Sequence, residues 1–237
     1  MRCLVALFVL ANFGLFAQTD PFWAITNSST IVEIHRTSDS ASAVVARITR
    51  DDVLLVRCEE GPWCWAQDQI GNQGYVRHAE VVALTALDDS SATTWMMTVF
   101  ARERQLGEGI NWYDPNYNTA TQQAYGDSLN NHDLVYVAAL SLFETSYCRL
   151  PNDTLLLELM HAVAAIPGSA SEVPPDKLAK ALQCHPDEFK KVMKMLEPSK
   201  QELVLAATTN GLWLSFDQHD PTSVAERDRL ILLLDGL

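Results

Sequence analysis

Between Thr30 and Leu84 apolar and polar residues alternate in short runs, whereas from Ala92 onward the apolar residues return every three or four positions. The first spacing predicts strands and the second predicts helices. The strand-like runs read "TIVEIHR", "SAVVARI", "DVLLVRC", "WCWAQD", "GYVRH" and "EVVAL", each rich in β-branched or aromatic residues and bounded by polar or glycine-containing turns. In "DVLLVRC" the alternation sets Leu54, Val56 and Cys58 on one face and Val53, Leu55 and Arg57 on the other, the composition of a strand covered on both sides. The Asp- and Ser-rich link "TALDDSSATTW" then ends the strand pattern, with the boundary between Asp88 and Ser91.

Beyond it, Thr94 or a preceding serine caps "WMMTVFARERQL", whose stripe runs through Met96 and Phe100 to a stop at Gly107. An irregular loop, "GEGINWYDPNYNTATQQ", follows. The pattern then predicts helices over 119–129, 133–147, 153–165, 175–183 and 186–196, with Asp133, Asn152 or Asp153, and the prolines of "PPDKL" marking three of the starts. In the tail it predicts a helix over 202–208, a turn at Asn210 and Gly211, a short strand or extended piece over 212–216, and a final helix in "TSVAERDRLILLL". No internal repeat is present.

The start of the chain changes the picture. Arg2 followed by the apolar run "CLVALFVLANFGLF" up to Ala17 reads as an export signal with cleavage near Ala17, and the run is shorter than the roughly 20 residues a membrane-spanning helix needs. A sensor anchored in the membrane is the alternative if the leader survives. The expected organisation is residues 1–17 as signal peptide, 24–86 as the strand-built domain, 87–91 as linker and 92–237 as a helical domain. The expected location is the periplasm or the extracellular space, with no stable membrane span after signal cleavage.

Loss of the leader removes one cation and takes the formal net charge from -13 to -14, a surface that repels polyanions and excludes nucleic acid as partner. Outside the leader stand Cys58, Cys64, Cys148 and Cys184. Four cysteines in an exported chain point to two disulfides, and of the three connectivities the spacing favours Cys58 with Cys64 and Cys148 with Cys184. A zinc site would need ligands from two separate regions, so no metal and no cofactor is expected.

One segment resembles a known family. Val32, Ile34 and Arg36, then Ser38, Ser40 and Ser42, stand where the bacterial SH3-type domain has its first strand and serine-rich turn. Arg50, Asp51 and Asp52 match its basic turn, with Asp51 where the family prefers glycine. Pro62-Trp63, Trp65-Ala66 and Gly74-Tyr75-Val76 match its aromatic strands. The resemblance covers about a quarter of the chain. It implies an all-β SH3-like small barrel, here followed by an all-α domain, in a protein that engages a cell-envelope peptide, glycan or exported protein without catalysis. Trp63, Trp65 and Tyr75 are then the barrel's hydrophobic filling, an exposed platform for a peptide or sugar, or an interface with the helical half.

Candidate chemistry in the helical half is sparse. Of the carboxylates Glu103, Glu108, Asp114, Asp127, Asp133 and Glu144, the pair Glu108 and Asp114 is the best placed for a cell-wall glycan hydrolase, because its loop also carries Trp112 and Tyr113 to hold a sugar. That hydrolase is the alternative function. His132 reads as a cap or solvated residue ahead of a helix, His161 as a boundary residue, and Cys184 with His185 as neighbours that do not face each other. No zinc-protease, nucleophile-elbow, phosphate-loop or dinucleotide motif is present. The sequence therefore favours an exported binding or scaffold protein.

Overall fold

A computed structural model describes residues 20–27, 31–49, 52–110, 120–166 and 173–235. The expected signal peptide, with Trp112, Tyr113 and Asp114, lies outside them.

Seven strands come first: β1 (Phe22–Thr26), β2 (Val32–His35), β3 (Val44–Ile48), β4 (Leu54–Cys58), β5 (Trp63–Asp68), β6 (Gln73–Arg77) and β7 (Val81–Ala83). They form one antiparallel sheet in the order β3-β2-β6-β5-β4-β1-β7. The expectation of a closed SH3-like barrel is overturned. A barrel needs a ladder joining its two outer strands, whereas here β3 and β7 are opposite edges of an open sheet. Part of the reason is β1, which precedes the alternating run and pairs with β4 on one side and β7 on the other. The SH3-type resemblance, and the barrel-borne binding module inferred from it, fall with the closure.

The turn between β5 and β6 is built by Asp68. Its buried carboxylate accepts from the backbone N–H of Ile70 (3.1 Å) and Asn72 (2.8 Å) and from Asn72 Nδ2 (2.7 Å), while Gly71 takes φ of 90°. Across the other hairpin Cys58 and Cys64 are register partners and are joined by a disulfide.

The helices are α1 (Asp89–Glu108), α2 (Ala120–Arg149), α3 (Asp153–Ala165), α4 (Val173–Cys184), α5 (Pro186–Met193), α6 (Pro198–Ser215) and α7 (Pro221–Leu234). α1 begins at once after the sheet, its first turn held by the Asp88 carboxylate accepting from Ser91 N (2.9 Å). Two differences from the sequence reading matter. The two helices predicted over 119–129 and 133–147 are replaced by the single helix α2, which starts at Ala120 and runs to Arg149, so His132 is an interior helical residue rather than a cap. The predicted turn at Asn210 and Gly211 is likewise inside α6, because Gly211 lies against the Pro175 carbonyl where a side chain would not fit.

α2 runs back along α1. Arg149 pairs with Asp89 at one end and His132 with Glu103 at the other, with Phe100 edge-on to Tyr136 and Phe143 between them. α3 covers the other side of α1, α4 packs on α6 and α2, and the Cys148–Cys184 disulfide ties α2 to α4. Closing a loop of that length is worth about 3–4 kcal/mol on chain-entropy grounds. The core of the helices reaches into the sheet through Ile25, Val53 and Leu84, with Trp23 and Val82 packed against it. The neighbouring positions Ala24, Leu54 and Val56, with Ile34, Cys64 and Val76, form a second, separate cluster within the sheet. Alternation along β1 and β4 thus serves two cores at once. Among the described residues no helix is long and apolar enough to cross a membrane.

Candidate ligand-binding cleft

Along α1 the inward stripe of Met96, Phe100, Glu103 and Leu106 contains one acid. Glu103 is 4% exposed. Taking a carboxylate out of water costs several kcal/mol unless it is paired, and its partner is His132 on α2, whose Nδ1 lies 2.8 Å from Glu103 Oε2. Burial pushes the Glu103 carboxyl above its ordinary value, and the hydrogen bond to His132 pulls it part of the way back. Burial above all, then the Glu103 and Asp133 charges, also hold the Tyr136 phenol well above its usual range.

His132 lines a cleft of about 380 Å³ where the sheet meets α1 and α2. Trp95, Thr98, Val99, Arg102 and Leu106 of α1 form one wall. Ser128 and His132 of α2 stand on another, and Asp52 and Gln69 close it from the sheet. Asp52 is fixed in place: one carboxylate oxygen accepts from Thr49 N (2.7 Å) and Thr49 Oγ1 (2.8 Å), the other from Gln69 Nε2 (3.0 Å). Because an ionised carboxylate only accepts, this contact orients the Gln69 amide. Its Oε1 is buried and has no hydrogen-bond partner among the described residues. The same holds for the indole Nε1 of Trp95, a residue 9% exposed. Both atoms are sealed from solvent rather than open to the cleft, and each costs about 1–3 kcal/mol where it stands.

The neutral imidazole has two arrangements, whereas in the imidazolium both nitrogens donate. When Glu103 is ionised, Nδ1 carries the hydrogen and donates to Oε2, leaving Nε2 as an acceptor; when Glu103 is protonated its hydroxyl donates to Nδ1 and Nε2 becomes the donor. This pair has a consequence for stability. The folded carboxyl holds its proton to higher pH than the unfolded one, whose ordinary value is 4.5. The contribution is therefore complete below the ordinary carboxyl range and is lost as pH rises through the folded value. Glu103→Gln cannot ionise, and its urea-unfolding stability is expected to vary less with pH between about 4 and 7 than that of the natural chain.

The residues expected from the sequence lie elsewhere. Glu108 is exposed and ion-paired with Lys200 (3.3 Å), away from the cleft, and its expected partner Asp114 lies outside the described residues. Trp63, Trp65 and Tyr75 do come together, half-buried on the face of the sheet opposite Cys64 and Val76. Trp65 is the register partner of both Arg57 and Tyr75, and Trp63 that of Arg77. The Arg57 and Arg77 guanidinium carbons stand 6.0 and 5.5 Å from the Trp65 and Trp63 rings. Cys58, Cys64 and His78 place their ligand atoms within 4.8 Å of one another, but the two sulfurs are bonded together and offer no thiolate.

The pairing of Glu103 with His132 is not evident in the sequence. The available signal is an acid at a core position of the α1 stripe, in helical register with Met96 and Phe100, together with an interior histidine on the next helix. No protein-family model, no curated protein and no solved structure matches the chain.

Proposed function

We propose that the chain binds a small polar ligand in the cleft between the sheet, α1 and α2, with His132 Nε2 as a hydrogen-bonding group whose polarity is set by Glu103. The observation that carries this reading is a buried carboxylate held against Nδ1 of His132, which lines a cleft whose other walls mix apolar side chains with Asp52, Gln69 and Arg102. Clefts of this size that combine apolar walls with a few convergent polar groups are the usual setting for small-molecule recognition. Hydrolysis is less well supported. Ser128 lines the same cleft, but its hydroxyl donates to Ala124 O (2.8 Å), so no bond joins it to the imidazole as a nucleophile and base would require. The test is a fragment screen followed by NMR on the Trp95 indole N–H, assigned with Trp95→Phe. Saturable shifts of that resonance together with His132 are expected, and a screen that finds no saturable binder there would remove the reading.

A second surface is proposed for Trp63, Trp65 and Tyr75. Their stacking with Arg57 and Arg77 on one face supports a contact surface, since Trp, Tyr and Arg dominate binding energy where proteins meet. Trp65→Ala is then expected to cost under about 1.5 kcal/mol in stability, against the ~3–5 kcal/mol of a core tryptophan. A loss in the core range, measured by chemical denaturation, would assign these rings to structure alone.

A further inference from the structure

We infer that the face of the sheet bearing Trp63, Trp65 and Tyr75 receives a short acidic segment of another protein, laid across β4, β5 and β6 with one carboxylate at Arg57, a second at Arg77 and an apolar side chain between them. The inference rests on the reading of that face as a contact surface and adds the chemistry of what it contacts. The register places the groups. Arg57, Trp65, Tyr75 and His35 are successive partners across β4, β5, β6 and β2, so they form one row on one face. Trp63 and its partner Arg77 stand in the next row, two residues along β5. Both tryptophans are therefore on the middle strand, with an arginine on the strand to either side. The Trp63 ring also meets the His35 ring edge-on, with centroids 5.6 Å apart.

Charge selects the partner. The chain carries 30 acidic against 17 basic residues, yet Arg57 and Arg77 have no ion pair among the described residues. Arg47 on the edge strand is engaged by Glu33 (3.1 Å), whereas Glu59 and Glu60, exposed in the turn between β4 and β5, form no ion pair with either arginine. An arriving carboxylate thus has no internal partner to displace. Each guanidinium rests near an indole, an arrangement that limits its freedom and presents the planar donors that match a carboxylate. A basic segment would be repelled, and a neutral one would leave both arginines unengaged. A long polyanion such as nucleic acid would meet the acidic remainder of the surface, so the negative charge must be confined to a short stretch. Two strand spacings across and two residues along, the Cα atoms of Arg57 and Arg77 are about 12 Å apart. Residues four apart in an extended chain lie on one side about 13 Å from each other, with the residue midway on that same side. Acids at the first and fifth positions and an apolar residue at the third therefore fit the arginines and the tryptophans together.

The test titrates the intact, disulfide-bonded chain at low ionic strength with three blocked pentapeptides, Glu-Ala-Leu-Ala-Glu, Gln-Ala-Leu-Ala-Gln and Lys-Ala-Leu-Ala-Lys. The readout is NMR of the Trp63 and Trp65 indole N–H groups, assigned with Trp63→Phe and Trp65→Phe. The acidic peptide is expected to shift both saturably and to bind about tenfold or more tighter than the glutamine peptide, as the gain of charge-assisted hydrogen bonds implies. Added salt is expected to erode that difference. The double variant Arg57→Gln with Arg77→Gln is expected to bind the acidic and glutamine peptides alike, with circular dichroism showing the fold unchanged. Equal binding of the acidic peptide and either of the others to the natural chain overturns the acidic segment while leaving a contact surface in place. No response to any of the three also overturns it, and the contact surface itself is then decided by the stability of Trp65→Ala. Self-association of the natural chain in sedimentation, lost in the double variant, would assign the face to a second copy and likewise overturn the proposal.

Discussion

Gly211→Ala is expected to destabilise the protein by about 3 kcal/mol or more, although alanine is the better helix former by about 1 kcal/mol. A Cβ at position 211 would stand 1.9 Å from the Pro175 carbonyl oxygen and 2.3 Å from its carbon. Those atoms are backbone at the start of α4, so no side chain can swing aside to make room. α4 and α6 must separate, and with them the buried contacts of Leu178 and Leu212. Steric cost therefore outweighs propensity. Urea unfolding followed by far-ultraviolet circular dichroism measures the difference, and a variant as stable as the natural chain would show that α6 does not approach α4 this closely.

His132→Ala should cost about 3 kcal/mol at neutral pH, the upper end of what is lost when a buried group is left without its hydrogen-bond partner. The loss comes mainly from what remains: Glu103, at 4% exposure, would keep its charge without a partner or take up a proton to shed it. Protonation limits the damage in acid, so the penalty is expected to grow as pH rises from about 5 to 8. The double variant Glu103→Leu with His132→Leu should recover most of the loss, since an apolar pair of similar volume carries no desolvation cost. A double-mutant cycle reads the coupling directly. Additive effects of the two single substitutions would mean that the two side chains do not meet.

Local structure is legible in the sequence wherever a local signal decides it. Asn152 accepts from Leu155 N (3.0 Å) at the start of α3, and Pro186 opens α5, both as their residue types dictate. Gly211 misleads because a glycine required by close packing looks the same in sequence as one that ends a helix. Asp133 resembles a cap but lies within α2, where packing against α1 carries the helix through.

The barrel shows the same limit at a larger scale. Alternation and turn residues specify antiparallel neighbours, and the ladders β4 with β5 and β5 with β6 are of that local kind. Closure depends on whether the outer strands pair, and no residue in β3 or β7 encodes that alone. The cleft is illegible for a related reason. Asp52, Gln69, Trp95, Glu103 and His132 come from elements far apart in the chain, and only the packing of α1 on the sheet and on α2 makes them neighbours.

Nitrogen-15 NMR of the His132 imidazole at neutral pH tests most directly whether Glu103 sets the polarity of the cleft. A hydrogen held on Nδ1 and a bare, lone-pair-bearing Nε2 is the expected result, with that preference lost in Glu103→Gln. An imidazole that exchanges freely between its two tautomers, and does so equally in both proteins, would contradict it.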